Sequence, residues 1–234
     1  MRRDLNLKSN KEDNKKIYKS TNYIKQTTLP LKENSIYDLE DFIVSSSNKE
    51  AYDALHRNLL GVGPYENILI IKGPASSGKT FLSNIAADYR GGFFISNTEE
   101  LTRENIRTAI VDDADKKEES ELFHIINTAN EYSKELIIFT NSQMNIKLAD
   151  LSSRFSAINT KYLYQPDDDL FEIFVLSLLS KKEINAKKEL INYLKPRLPR
   201  NFLKIKEFIE QLDKFCLENK KNLSVKSASA LLSE

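Results

Sequence analysis

The run Gly73-Pro74-Ala75-Ser76-Ser77-Gly78-Lys79-Thr80 fits the pattern G-x-x-x-x-G-K-S/T, in which each fixed residue type answers a need of a bound phosphate. Glycines let the backbone turn so that successive N–H groups and a helix N-terminus converge on an anion. Lys79 is placed to reach the β and γ phosphates of a nucleotide, and the Thr80 hydroxyl to ligate Mg²⁺. Phe81 follows directly and belongs to the same expected nucleotide-binding set. Such a site needs a second acidic position, and Thr108-Ala109-Ile110-Val111-Asp112-Asp113 offers an apolar stretch ending in two carboxylates. Asp112 is expected to hold Mg²⁺ through its water shell and Asp113 to polarise an attacking water. A plain Gly-containing turn and an ordinary Asp helix cap are the bland alternatives, but the ordered succession of strand, loop, helix and acid pair argues against both. Asn141 lies in the polar run after another aliphatic stretch, where it could orient the hydrolytic water or simply close a turn. Arg154, in Leu151-Ser152-Ser153-Arg154-Phe155 and expected just after a helix, is a lone arginine of the kind that can contact a γ-phosphate held by a neighbouring subunit.

These residues must be held by regular elements, and the hydrophobic pattern supplies them. Ile68 to Ile71 is a continuous aliphatic run, as expected of a parallel strand covered on both faces. Helices are expected at 80–89 and 118–132, and strands at 92–96, 108–112, 136–140 and 160–164. Alternation of this kind argues for a parallel sheet sandwiched by helices. Upstream, Phe42-Ile43-Val44 precedes a Ser-rich turn in which Ser47 or Asn48 can cap a helix holding Ala51 and Leu55. Beyond Pro166 the pattern turns wholly helical, over 167–179, 187–194, 201–217 and 225–232. The expected organisation is a flexible arm over 1–35, an α/β nucleotide-binding domain over 36–165 and a helical domain over 166–234.

Composition narrows the setting. Thirty-five Lys and Arg against 34 Asp and Glu leave a net charge of +1, so no global field steers the chain onto nucleic acid or an anionic membrane. Cys216 is the sole cysteine, which excludes an intrachain disulfide and suits a reducing cytoplasm. No stretch approaches the roughly 18 apolar residues that span a bilayer, and the Lys- and Asn-rich N-terminus has no apolar core of a secretion signal. Within the arm, Gln26-Thr27-Thr28-Leu29-Pro30-Leu31 is a short peptide that Pro30 biases toward an extended backbone.

Taken in order, the motifs resemble the ATPase portion of the DnaA family of bacterial replication proteins. Tyr37 to Leu55 resembles the box that opens that domain, Ser153-Arg154-Phe155 its arginine-finger box, and Tyr164-Gln165-Pro166-Asp167 the start of its lid. The resemblance spans about residues 36–234 and implies an AAA+ P-loop module: a five-stranded parallel sheet between helices, followed by a small all-α lid, with adenine at their junction. It implies bound ATP or ADP, ADP being the expected form, together with Mg²⁺. A lid arginine of the family falls on Leu203 here, so Arg200 or Lys204 is left to take its part, and Arg200 joins the candidate nucleotide-binding residues. The family's helix-turn-helix domain would follow the lid, whereas this sequence ends at Glu234, so no sequence-specific DNA binding is expected of it alone. Only 33 positions separate Lys79 from Asp112, which leaves little room for the helix that engages single-stranded DNA.

The peptide at 26–31 resembles the clamp-binding motif Q-L-S/D-L-P-L, with Thr27 in place of a leucine. Gln26 would bond in a small polar pocket while Leu29 and Leu31 fill an apolar cleft and Pro30 limits the ordering cost. That layout is similar to the Hda branch of the family. It implies the polymerase III sliding clamp (β subunit) and DnaA as partners, a homodimer or nucleotide-dependent oligomer, and slow or absent ATP turnover by the chain itself. Arg154 would then promote hydrolysis of the ATP held by DnaA. Two other classes fit the residues: a helicase-loader-type ATPase acting on single-stranded DNA, which near-neutral charge disfavours, and a nucleotide-holding adaptor without catalysis.

Overall fold

The computed structural model describes residues 42–61, 67–185 and 187–233, all within one compact unit, Ser35–Glu234. The peptide Gln26, Leu29, Pro30, Leu31 and the first part of the box at 37–55 lie outside the described residues.

Helix α1 (Lys49–Leu60) precedes β1 (Ile68–Gly73), α2 (Lys79–Arg90) and β2 (Phe93–Phe94). The short helix α3 (Thr98–Leu101), β3 (Thr108–Val111), a 3-10 turn (Ala114–Lys116), α4 (Glu119–Glu131) and β4 (Glu135–Asn141) follow. Next come α5 (Ala149–Ala157) and β5 (Thr160–Tyr162), then four helices without a strand: α6 (Asp168–Ser180), α7 (Lys188–Leu194), α8 (Phe202–Glu218) and α9 (Val225–Leu232). The strands pair in the order β2-β3-β4-β1-β5 and every pairing is parallel. A parallel pair needs a crossover, and the helices between the strands supply it.

Alternation along each strand divides the core into two layers. Ile68 and Ile70 of β1, Ala109 and Val111 of β3, and Leu136 and Ile138 of β4 pack with Leu122, Ile125 and Ile126 of α4. Their neighbours Leu69, Ile71, Ile110, Ile137 and Phe139 face the other way, onto Leu55 of α1 and Leu82 and Ile85 of α2. With both faces covered, the strands read as unbroken aliphatic runs. The helices after β5 have a core of their own, in which Phe171, Val175 and Leu179 of α6 meet Leu190 and Leu194 of α7 and Ile205, Ile209 and Leu212 of α8.

Three local details depart from the sequence expectations. β2 is two residues long, because only Phe93 and Phe94 pair with Ala109 and Ile110 at the sheet edge. Arg154 lies inside α5 rather than after it. Asn48 is the N-cap residue of α1, but its side chain turns back to accept from Ser45 N (2.8 Å) and donate to Ile43 O (2.8 Å), tying down the segment before the helix.

Candidate functional site

The ends of β1, β3 and β4 form the carboxyl edge of the sheet, where open parallel sheets bind ligands. β1 runs into the phosphate-binding loop, which closes tightly. A Cβ on Gly73 would stand 2.5 Å from Ser77 Oγ and 2.9 Å from Leu163 Cβ, so nothing larger than glycine fits there. Gly78, with φ 97°, ends the loop and caps α2. A Cβ on it would lie 3.9 Å from Phe42 and 4.0 Å from Phe202, so two aromatic rings stand over this glycine. Lys79 is only 8% exposed and its Nζ donates to the carbonyls of Gly73 (2.9 Å) and Pro74 (2.8 Å). Burial lowers its pKa below the ordinary lysine value, against an upward pull from Asp115, Asp113 and Asp112. Ser77 Oγ is buried without a hydrogen-bond partner.

Asp112 leaves the buried strand β3 and accepts from Ser83 Oγ (3.2 Å) of α2 and from the Asp113 N–H (3.0 Å). This bond fixes the acid strand end against the helix that starts at Lys79. Asp113 adopts left-handed backbone (φ 50°) and pairs with Lys116 at 2.6 Å. Ser76, with φ 57°, is the other non-glycine residue of the cavity wall in that region, and such outliers persist where the surroundings over-determine them. Asp115 accepts from Asn141 N (2.8 Å) and Thr140 Oγ1 (3.4 Å), which joins the 3-10 turn to the end of β4. The Asn141 side chain accepts from Gln143 N (3.0 Å), closing a turn.

Together these pieces border a cavity of about 650 Å³, within the usual size of small-ligand sites. Ala75, Ser76, Gly78, Lys79, Thr80 and Phe81 form one wall, and Asp113, Asp115, Lys116 and Asn141 a second. The third is apolar, from Phe42, Ile43, Leu170, Phe174, Phe202 and Leu203, with Asn48 and Lys206 at its borders. Rings in that wall brace one another, Phe42 stacking on Tyr52 at 5.4 Å and Phe174 meeting Phe202 edge-on at 4.7 Å. One end thus presents donors and carboxylates and the other flat apolar surface, the two halves of what a nucleotide requires.

Most of the residues expected from sequence meet here. Gly73, Pro74 and Ser77 form the underside of the loop, and Asp112 stands behind the wall on Ser83. Arg200 does not line the cavity: it pairs with Asp168 and lies over the Phe171 ring at 4.8 Å, bracing α6 against the start of α8. Arg154 is exposed on α5, its guanidinium over the Phe123 ring at 5.2 Å, apart from the cavity wall. The N-terminus of α5 is held by Glu119, which accepts from Leu148 N (2.6 Å) and Lys147 N (3.0 Å). Sequence reasoning missed Asp115, Lys116, Lys206 and the aromatic wall. Asp115 was visible as a third acid after β3, whereas the aromatic wall is assembled from three separate stretches and carries no linear signal.

The sequence matches no protein-family model and none of the curated proteins. Among solved structures, AMPPCP-bound DnaA from Aquifex aeolicus is similar at 25% identity and TM-score 0.65, covering 79% of this chain and 67% of that one. Domain III of the Thermotoga maritima replication initiation protein DnaA is similar at 21% identity and TM-score 0.70, over 86% of this chain and 97% of that one. A likeness also extends to the Thermotoga maritima RuvB Holliday junction branch migration motor, at 11% identity and TM-score 0.64 over 85% and 72% of the two chains. A five-stranded parallel sheet with this loop, this acid strand end and a helical C-terminal region is the AAA+ P-loop fold, in the form that the DnaA ATPase domain takes.

Proposed function

We propose that this chain binds an adenine nucleotide and acts as a DnaA-related regulator of replication initiation of the Hda type. The observation that carries the nucleotide reading is the cavity itself, with a phosphate loop, Lys79 and two carboxylates at one end and an aromatic wall at the other. Backbone N–H groups of the loop and Lys79 would take the phosphates, and the rings of Phe42, Phe174 and Phe202 the base. The Thr80 hydroxyl and the Asp112 carboxylate are hard oxygen donors that fit Mg²⁺, an ion commonly held by one or two protein oxygens with phosphate and water completing its shell. When bound, that ion would neutralise phosphate charge. Asp113 and Asn141, which border the same end, would order a water there.

The regulatory part of the reading rests on Arg154 and on the peptide at 26–31. Arg154 is exposed and stacked on Phe123, so its charge is presented outward, as contact with a nucleotide on another protein requires. The clamp-like peptide would tether the chain to replicated DNA and bring Arg154 to ATP-bound DnaA.

Two assays test this. Purified sliding clamp should be retained by the wild type and lost from a Gln26→Ala, Leu29→Ala, Leu31→Ala variant. Clamp-dependent hydrolysis of DnaA-bound ATP should fall at least tenfold in Arg154→Ala, since an arginine acting across an interface is worth about a thousandfold or more in rate. Retention of clamp by neither protein, or full stimulation by Arg154→Ala, refutes the regulatory part and leaves the nucleotide site standing.

A further inference from the structure

Asp112, Asp113 and Asp115 all stand at the phosphate end of the cavity, but their charges are differently matched. Asp113 is paired with Lys116 at 2.6 Å. Asp112 accepts from Ser83 Oγ (3.2 Å) and the Asp113 N–H (3.0 Å), and is the carboxylate suited to Mg²⁺. Asp115 lines the cavity and takes its bonds from neutral groups, Asn141 N (2.8 Å) and Thr140 Oγ1 (3.4 Å). Both reach Oδ1, and among the described residues Oδ2 has no partner and the carboxylate no ion pair. Strand register fixes where that charge lies. Asn141 stands across from Gly73, the first residue of the phosphate loop, and Gly73 O accepts from Ser142 N (3.2 Å) and Lys79 Nζ (2.9 Å). Asp115 is thus fastened to the strand neighbour of the residue that holds the Lys79 ammonium. Burial lowers the Lys79 pKa, and of the charges that oppose this Asp115 pulls hardest, ahead of Asp113 and Asp112. A negative charge in a partly buried site acts more strongly than in water, and a carboxylate tied to the end of β4 cannot swing clear of an arriving anion.

We infer that Asp115 is a specificity-determining residue of the nucleotide site: its fixed charge favours a nucleoside diphosphate over a metal-free triphosphate and makes acceptance of the triphosphate depend on a divalent cation. A triphosphate brings one more negative charge to this end of the cavity than a diphosphate, so the same carboxylate opposes it more. Mg²⁺ arriving with the phosphates offsets that charge, and the penalty from Asp115 shrinks. This rests on the nucleotide reading above. It assigns the choice between phosphate tails to a residue outside the loop and the acid pair that the motif pattern marks.

The test is competition of ATP and ADP against a fluorescent ADP analogue at fixed ionic strength, once with EDTA and once with Mg²⁺. Wild type is compared with Asp115→Asn, Asp115→Glu and, as a control for charge alone, Glu131→Gln at the exposed end of α4. In EDTA the wild type should bind ADP more tightly than ATP. Asp115→Asn keeps an acceptor for Asn141 N but loses the charge, and should tighten metal-free ATP by about tenfold, the order expected of one nearby charge. ADP should gain less, and with Mg²⁺ both nucleotides should stay within about threefold of wild type. Asp115→Glu should keep the wild-type preference, which a merely structural role for the aspartate would not require, and Glu131→Gln should change nothing. Equal binding of metal-free ATP and ADP by the wild type overturns the inference even if the Asn variant fails to fold. So does an Asp115→Asn protein that keeps the wild-type preference, or a gain as large in Glu131→Gln. If the wild type binds neither nucleotide in either condition, the site reading itself fails, and this inference with it.

Discussion

Gly78 is constrained by its backbone, a left-handed φ of 97° required by the loop, and the rings of Phe42 and Phe202 lie within van der Waals reach of a Cβ placed on it. Alanine there must adopt a conformation that costs an L-residue about 1–2 kcal/mol, while its methyl would sit at ordinary van der Waals distance from the two rings. Gly78→Ala should therefore lower stability by about that amount in denaturant titration, and should weaken ADP binding because the loop N–H groups shift. Unchanged affinity would mean that the loop geometry is not what binds phosphate. The same position shows what a sequence can disclose about a site. The loop was legible because phosphate binding needs contiguous residues of fixed type, and Asp112 was legible because it ends an aliphatic strand. Lys206, Asp115 and the rings of Phe42, Phe174 and Phe202 were not, since each becomes part of the site only through tertiary packing. The ion pair of Arg200 with Asp168 was hidden for the related reason that a basic residue near a helix start does not show its partner in the sequence.

At the scale of elements, Asp167 shows how the lid is fastened. One carboxylate oxygen caps α6 by accepting from Leu170 N (2.8 Å), while the other accepts from Ser46 Oγ (2.7 Å) and Ser47 N (3.1 Å). Tyr164 N donates to Ser47 O at 2.9 Å, closing the same junction through the backbone. The turn at 45–47 leads directly into the cavity wall at Phe42, Ile43 and Asn48, so α6 and the base end of the cavity share a fastening. Burial alone would raise the pKa of Asp167, but bonds from Leu170 N, Ser46, Ser45 and Ser47 N outweigh it and hold the carboxyl below the ordinary aspartate value of 3.8. A depressed carboxylate pKa stabilises the fold fully above the unfolded value, and this contribution is lost as pH falls through the folded-state value. Asp167→Ala should then cost about 1–2 kcal/mol at neutral pH, as loss of an N-cap does, and the gap to wild type should narrow below pH 3.8. A gap that stays constant into that range would show that the charge is not what stabilises the junction. Helical spacing of apolar residues and continuous aliphatic runs located most of these helices and strands in the sequence, though not the short α3. What periodicity could not supply was the side-chain bonding that ends an element, as at Asn48, or the single edge pairing that limits β2 to Phe93 and Phe94.

Across the whole molecule, the cavity is the place where two independently packed cores meet. Leu170, Phe174, Phe202, Leu203 and Lys206 belong to the helical part, and the loop, Asp113, Asp115 and Asn141 to the sheet. The buried apolar residues of α6 to α9 cluster among themselves, and among the described residues the 45–47 turn and the cavity walls connect the two parts. A ligand that touches both walls adds a third connection, and it stabilises only the state in which both are in place. Saturation at about a hundred times Kd contributes about 2.7 kcal/mol, which for a chain of this size raises Tm by about 5–10 °C. ADP with Mg²⁺ should produce a shift of that order in the wild type and almost none in Lys79→Ala. The Asp167→Ala variant adds a finer test, because its junction at 45–47 is already weakened. If the nucleotide bridges sheet and lid, ADP should recover part of the stability lost at Asp167, giving this variant a shift at least as large as the wild type's. A wild-type shift that shrinks in Asp167→Ala would instead mean that the lid must be fastened at Ser46 and Ser47 before the cavity can close on its ligand.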